Sequence, residues 1–213
     1  MRGSRFAIAY ELSLMGRTVS NRGAVWAAGV GLVLACAGCG GGSSGESHAT
    51  TTPTTVAPAS LPTSIRLTSP VLAEGRPVPS RFTCDGPDDP PPLRWSGVPA
   101  GTAELALLLE DRSSRGDSGG PFVHWSVFGI PPSATQVPSG GGKPGTNDFH
   151  QLTYGGPCPP DNDPAHRYVF TLYALRAPLG LPDGAPPGDL RAAIGRSASA
   201  QGQLTVTYTR GGG

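Results

Sequence analysis

Tyr154 to Leu175 reads YGGPCPPDNDPAHRYVFTLYAL: a stiff Gly/Pro turn, an acidic loop, then a strand opened by a histidine. From Arg167 to Leu175 apolar and aromatic residues alternate or run together, the period-two pattern of a buried strand. Alternation predicts Tyr168, Phe170, Leu172 and Ala174 on one face and Val169, Thr171, Tyr173 and Leu175 on the other. His166 shares the face of Tyr168, at the mouth of the strand. In the preceding Gly155-Gly156-Pro157, glycine lets bare backbone approach a bound group. A rigid turn beside a histidine and a tyrosine at a strand end outlines a small-ligand site. The same residues also suit a plain hairpin corner holding a partly buried histidine.

The chain around this stretch is rich in short apolar runs between Gly/Pro clusters and poor in helix-forming segments, which predicts a mainly β domain. The fold is expected to begin near Ile65. Ser64 to Ser69 alternates as a short strand, and Ser80 to Cys84 reads as another. A proline-laden loop, Asp85 to Pro92, leads to Leu93-Arg94-Trp95. Leu105 to Leu109 is a continuous apolar run, too short for a typical helix and suited to a strand buried on both faces, with Asp111 just past its end. Residues 112–120 read as a loop. Phe122 to Ile130 reads as a strong strand, with Val123, Trp125 and Val127 on one face and Phe122, His124, Ser126 and Phe128 on the other. A short helix is predicted from Gly188 to about Ala200, capped by Asp189, and Leu204, Val206 and Tyr208 mark a final strand.

Residues 1–38 do not read as part of that fold. Arg17 and Arg22 precede an apolar run, Ala24 to Ala37, too short to span a membrane comfortably and ending in Ala37-Gly38-Cys39. The pattern resembles a bacterial lipoprotein signal, in which the cysteine after small residues is lipid-modified and becomes the new N-terminus. Cys36 departs from it, since an aliphatic residue is usual there. Translation from Met15 instead of Met1 would give a compact signal, and an ordinary cleaved secretory signal is the alternative. Residues 39–62 are Gly, Ser, Thr, Pro and Ala with almost no large apolar side chain; they read as a tether between a lipidated Cys39 and a domain over 63–210. The expected location is the extracytoplasmic side of the cell membrane.

Composition excludes several function classes. A net charge of +1 and the lack of a basic run argue against nucleic-acid capture. No phosphate-binding P-loop or His-Glu-x-x-His pair is present, so neither a metal nor a cofactor is expected. Gly116-Asp117-Ser118-Gly119-Gly120-Pro121 does match the nucleophile motif of trypsin-like proteases letter for letter. Those enzymes carry their histidine and aspartate upstream on a β-barrel of their own. Here the single upstream histidine is His48, inside the tether, so the match reads as an accidental Gly/Ser loop and no enzyme activity is expected.

Asp111, His124 and His166 sit at strand ends or beside a strand, joined by Tyr168 and the Gly155–Pro157 turn. A buried histidine costs free energy unless hydrogen-bonded, so each requires a partner. Several further motifs occur in order: Cys84-Asp85-Gly86, Trp95-Ser96-Gly97-Val98-Pro99, His124-Trp125, Asn147-Asp148-Phe149, Tyr154-Gly155-Gly156-Pro157-Cys158-Pro159-Pro160 and His166-Arg167-Tyr168-Val169-Phe170. Together they resemble the phosphatidylethanolamine-binding protein family, in its bacterial Raf-kinase-inhibitor-like branch, from about Ile65 to Thr209.

That resemblance implies an antiparallel β-sandwich with a few short peripheral helices and a small anion pocket. Carried onto this chain, the pocket positions are Asp111, His124, Gly155, Gly156, Pro157, His166 and Tyr168. The family's Asp-Pro-Asp-Ala-Pro motif is replaced by Asp111-Arg112-Ser113-Ser114, which leaves Arg112 as an extra anion contact. The implied ligand is a small anion or zwitterion such as a phosphate ester or phospholipid headgroup, bound more tightly as the histidines gain charge below about pH 6.5. Both histidines read as binding groups whose replacement spares the fold. An inhibitor of an exported protease, or a hydrolase using the same pocket, are the alternatives. Cys84 and Cys158 are the two cysteines left in the exported domain, and their context beside Pro-rich loops invites a disulfide; two free thiols are the other reading.

Overall fold

The structure is a computed structural model and describes residues 60–138 and 142–211. The signal, Cys39 and nearly all of the tether lie outside the described residues. Seven strands, one 3₁₀ turn and one α-helix occur among those described. In chain order they are β1 (Arg66–Thr68), the 3₁₀ turn (Ser80–Phe82), β2 (Arg94–Ser96), β3 (Glu104–Arg115), β4 (Pro121–Ile130), β5 (Lys143–Pro144), β6 (His166–Leu175), α1 (Pro187–Ser197) and β7 (Ala198–Tyr208). The main sheet has the antiparallel order β5-β4-β3-β6-β7, and β1 pairs with β2 in a second, two-stranded sheet.

The apolar periodicities explain both faces of the main sheet. Leu105, Leu107 and Leu109 of β3 meet Tyr168, Phe170, Leu172 and Ala174 of β6 in a core that also takes Leu67 and Trp95 from the small sheet. Ala106 and Leu108 turn the other way, onto Leu175 of β6 and onto Leu190 and Ile194 of α1. A run of five apolar residues is thus needed because β3 is central and covered on each side. The fold is the predicted mainly β sandwich.

Three local expectations are corrected. Ser80 to Phe82 is a 3₁₀ turn, not a strand: Pro79 enters it at φ −60°, and the Thr83 hydroxyl donates to the Ser80 carbonyl at 2.9 Å. Pro sets such a turn and a hydroxyl can close it, which overrides the alternation of Phe82 with its neighbours. Residues 112–115 continue β3, so the hairpin loop is only 116–120. The helix is entered through Pro186 and Pro187, with no side-chain cap from Asp189, which lies in the first turn instead. Proline there has no amide to leave unsatisfied, and the acidic side chain suits the helix's positive end.

Candidate functional site

The site lies where β3, β4 and β6 end together. Asp111 is paired in register with Phe122 of β4 and with Tyr168 of β6, so the three share one face. Simple alternation puts His124 on the face of Phe122 but would turn Trp125 away from it. Leu109 pairs with Trp125 and Glu110 with Val123, so one step of β3 spans two of β4 and His124 is the extra residue of a β-bulge. A bulge re-aims a side chain. The expected grouping of Val123, Trp125 and Val127 on one face is corrected for that reason: Val123 pairs with Glu110, while Trp125 and Val127 pair with Leu109 and Leu107. The His124 ring stands 5.1 Å from Phe122, 5.2 Å from Phe149 and 5.2 Å from Tyr168.

These residues surround a cavity of about 130 Å³, lined by Asp111, Ser114, Phe122, His124, Phe149 and Cys158–Pro160. Asp111 is 2% exposed and both its oxygens are engaged: Oδ1 accepts from the Ser113 amide at 2.7 Å, and Oδ2 from His166 Nδ1 at 2.7 Å. On the other side of the His166 ring, Nε2 is 3.5 Å from Asp163. His124, 3% exposed, has Nδ1 2.9 Å from the Gly155 carbonyl and 3.0 Å from that of Gly156. Carbonyls only accept, so Nδ1 carries the proton. Burial pushes His124 below the ordinary imidazole range, although both carbonyls and the carboxylates of Asp111 and Asp88 pull it back up. Tyr168 is wholly buried, and its hydroxyl lies near Asp111 and the Cys158 backbone without closing a hydrogen bond to either. Burial, then Asp111, push that phenol well above its ordinary value, so it stays a donor.

The predicted site residues therefore converge but divide their labour. Asp111 and His124 wall the cavity, and His166 and Tyr168 back them. Gly155 and Gly156 do not present free amides to an anion: the Gly155 amide donates to the His124 carbonyl and that of Gly156 to Asp88 Oδ1 at 2.8 Å. Their carbonyls instead hold His124, and the cavity wall comes from Cys158, Pro159 and Pro160 beyond them. Side chains at either glycine would collide, at Gly155 with Phe149 and at Gly156 with the Phe82 carbonyl.

Arg112 is corrected outright. It sits on the opposite face and binds the buried Glu110 at 2.6 Å, so it offers the cavity nothing. The expectation that His124 and His166 could be removed without loss of stability is corrected too, because each is an internal hydrogen-bonding partner.

Sequence reasoning missed Ser114, Phe122, Phe149 and Pro159–Pro160 as wall residues. Phe149 stands inside the Asn147-Asp148-Phe149 motif, where Asn147 Oδ1 accepts from the amides of Phe149 and Gln151 and fixes the loop that carries the ring. Ser114 Oγ is 3.4 Å from His166 Nδ1, the same nitrogen that serves Asp111. Activation of a nucleophile takes the serine and the carboxylate on opposite ring nitrogens, and this trio lacks that relay. Ser118 of the protease-like motif accepts a hydrogen bond from Arg191 at 2.5 Å.

A profile of the phosphatidylethanolamine-binding protein family matches residues 68–209. A Mycobacterium tuberculosis protein named lipoprotein LppC is 41% identical over 194 residues, covering 85% of this chain and 93% of that one. A protein of Methanothermobacter thermautotrophicus named only UPF0098 is 40% identical over 143 residues, covering 63% of this chain and 91% of that one. Among solved structures, the phosphatidylethanolamine-binding protein homologue CT736 of Chlamydia trachomatis superposes with a TM-score of 0.62 at 32% identity, covering 69% of this chain and 98% of the other. Profile, relatives and fold agree, and the chain belongs to the phosphatidylethanolamine-binding protein family.

Proposed function

We propose that this protein is a lipid-anchored binding protein on the extracytoplasmic face of the membrane, whose cavity takes a phosphate-ester headgroup. The observation that carries the reading is the Tyr168 hydroxyl, a buried donor that closes no hydrogen bond among the described residues, beside two residues of the cavity wall. A buried polar group left unpaired costs about 1–3 kcal/mol, and a ligand oxygen would recover that. A volume of about 130 Å³ suits one phosphoryl group rather than a whole lipid, with Phe149 at the rim, 38% exposed, to meet the organic group esterified to the phosphate.

Tyr168→Phe is the expected discriminator. It should leave the melting temperature of the unliganded protein unchanged or slightly higher, since no internal bond is lost. Affinity for phosphoethanolamine should fall about tenfold to a hundredfold, the worth of one hydrogen bond to a charged oxygen. Titration calorimetry against free phosphoethanolamine and against phosphatidylethanolamine vesicles separates a soluble phosphate ester from a lipid source. No binding in either arm would overturn the headgroup reading.

The anchor rests on the Ala37-Gly38-Cys39 pattern and on the relative named as a lipoprotein. Cys39→Ala is expected to move the protein from the membrane to the soluble fraction. Intact-mass measurement of the membrane-extracted form should show a diacylglyceryl addition, and an unmodified N-terminus there rules lipidation out.

A further inference from the structure

We infer that the cavity binds an oxyanion together with one proton and that this proton resides on Nε2 of His124, so the site selects oxyanions that bring an acidic hydrogen or recruit one from solvent. The inference deepens the headgroup reading and rests on it.

Two carbonyl oxygens fix the Nδ1 proton in every charge state, which leaves Nε2 as the ring nitrogen for the cavity. In the neutral ring Nε2 is a lone pair and can only accept. An anion oxygen is repelled by it. A protonated Nε2 is a charge-assisted donor to the same oxygen.

Among the described residues the surroundings supply no other cation to the cavity. β3 contributes Asp111 and Ser114 to the wall, β4 contributes Phe122, and the loops contribute Phe149 and Cys158–Pro160. Asp88 lies close enough to act on His124. Tyr168 of β6 offers a neutral donor. His166, also of β6, turns Nδ1 to Asp111 and Nε2 to Asp163, so both its ring nitrogens already face carboxylates and neither is left for the cavity. An unprotonated dianion would thus meet Asp111 with nothing to balance it. Burial keeps His124 neutral before the ligand arrives, so at neutral pH the proton must come with the anion or from water.

The test uses the full, membrane-extracted chain with sulfate and dimethyl phosphate, neither of which titrates between about pH 5 and 9, and with phosphoethanolamine as control. Calorimetry in two buffers of different ionisation enthalpy counts protons. About one proton should be taken up per sulfate bound at pH 7.5, and each unit of acidification should strengthen binding by up to about tenfold. His124→Asn keeps an amide donor for the two carbonyls but cannot take the charge; sulfate should bind it at least about tenfold more weakly, without proton uptake. Nitrogen NMR of histidine-labelled wild type reads the same event at Nε2 and decides the matter if the variant does not fold. Sulfate or dimethyl phosphate binding without uptake, or uptake persisting in His124→Asn, overturns the inference and leaves the headgroup reading intact. If phosphoethanolamine fails to bind as well, the headgroup reading falls and takes the inference with it.

Discussion

Replacing both cysteines, Cys84→Ser with Cys158→Ser, is expected to lower the stability of the domain by about 4 kcal/mol and to weaken ligand binding at the same time. The two sulfurs are bonded, with Cα atoms 5.4 Å apart and a sequence separation of 74. Cross-linking over a loop of that length removes about 4 kcal/mol of chain entropy from the unfolded state. The bond also latches two loops at the cavity. The Cys84 amide donates to the Pro157 carbonyl at 3.3 Å, and Asp88 accepts from Gly156 two residues before Cys158. Cys158 is itself in the cavity wall, and Gly156 supplies one of the two carbonyls holding His124. Freeing the latch therefore loosens His124, which lines the cavity. Denaturant midpoints of the wild type and the double variant measure the first effect, and calorimetry with phosphoethanolamine the second. A difference under about 1 kcal/mol would show that the crosslink does not act on the unfolded chain as argued. Thiol labelling of unreduced, denatured wild type gives an independent check: two reactive thiols would mean that no bond forms in the protein.

Periodicity made part of this fold legible in the sequence. The alternation in β6 placed Tyr168, Phe170, Leu172 and Ala174 in one core and Leu175 in the other, as observed. The apolar run in β3 revealed a central strand, because only a strand covered on both faces needs five apolar residues in succession. Insertions into that period were not legible. The bulge at His124 leaves no mark in composition, yet it turns Trp125 and Val127 into the core beside Leu109 and Leu107. A second irregularity falls at Gly129, where φ is +67°: Leu107 pairs with Val127 but Leu105 with Ile130, so Phe128 and Ile130 reach different cores. Glycine accommodates such a bulge, but one glycine in a strand does not announce it. The same holds for Arg112. Its place beside Asp111 suggested a shared site, whereas neighbours along a strand point to opposite faces. The resemblance to the family pointed to residues that the structure gathers around one cavity; the roles of Gly155 and Gly156 emerged from their hydrogen bonds.

Arg191→Met is expected to cost about 1.5–3 kcal/mol at pH 7 and less on acidification. Glu110, 2% exposed, lies on the helix side of the sheet between Arg112 at 2.6 Å and Arg191 at 3.3 Å. Arg191 projects from α1, donates also to the Pro121 carbonyl at 3.1 Å and to Ser118, and packs over Gly120, where a side chain would strike its guanidinium. The loop carrying the protease-like letters is in this way shaped around one arginine, and its small residues have a packing reason. Removing Arg191 leaves the buried carboxylate with Arg112 alone and takes away one charge-assisted hydrogen bond, which is the origin of the cost. Burial already raises Glu110 above the ordinary carboxyl value, while the two arginines oppose that rise. Without Arg191 the folded-state value climbs further. A carboxyl raised in the folded state favours folding most when protonated, so the variant's deficit is largest at neutral pH and shrinks as pH falls through that value. Unfolding free energies of variant and wild type at pH 7 and pH 5 measure the difference, in which titrations common to both proteins cancel. A deficit that stays constant or grows toward pH 5 would mean that Glu110 does not carry the charge at stake. A total cost below about 1 kcal/mol would place the pair in the weak class of exposed salt bridges.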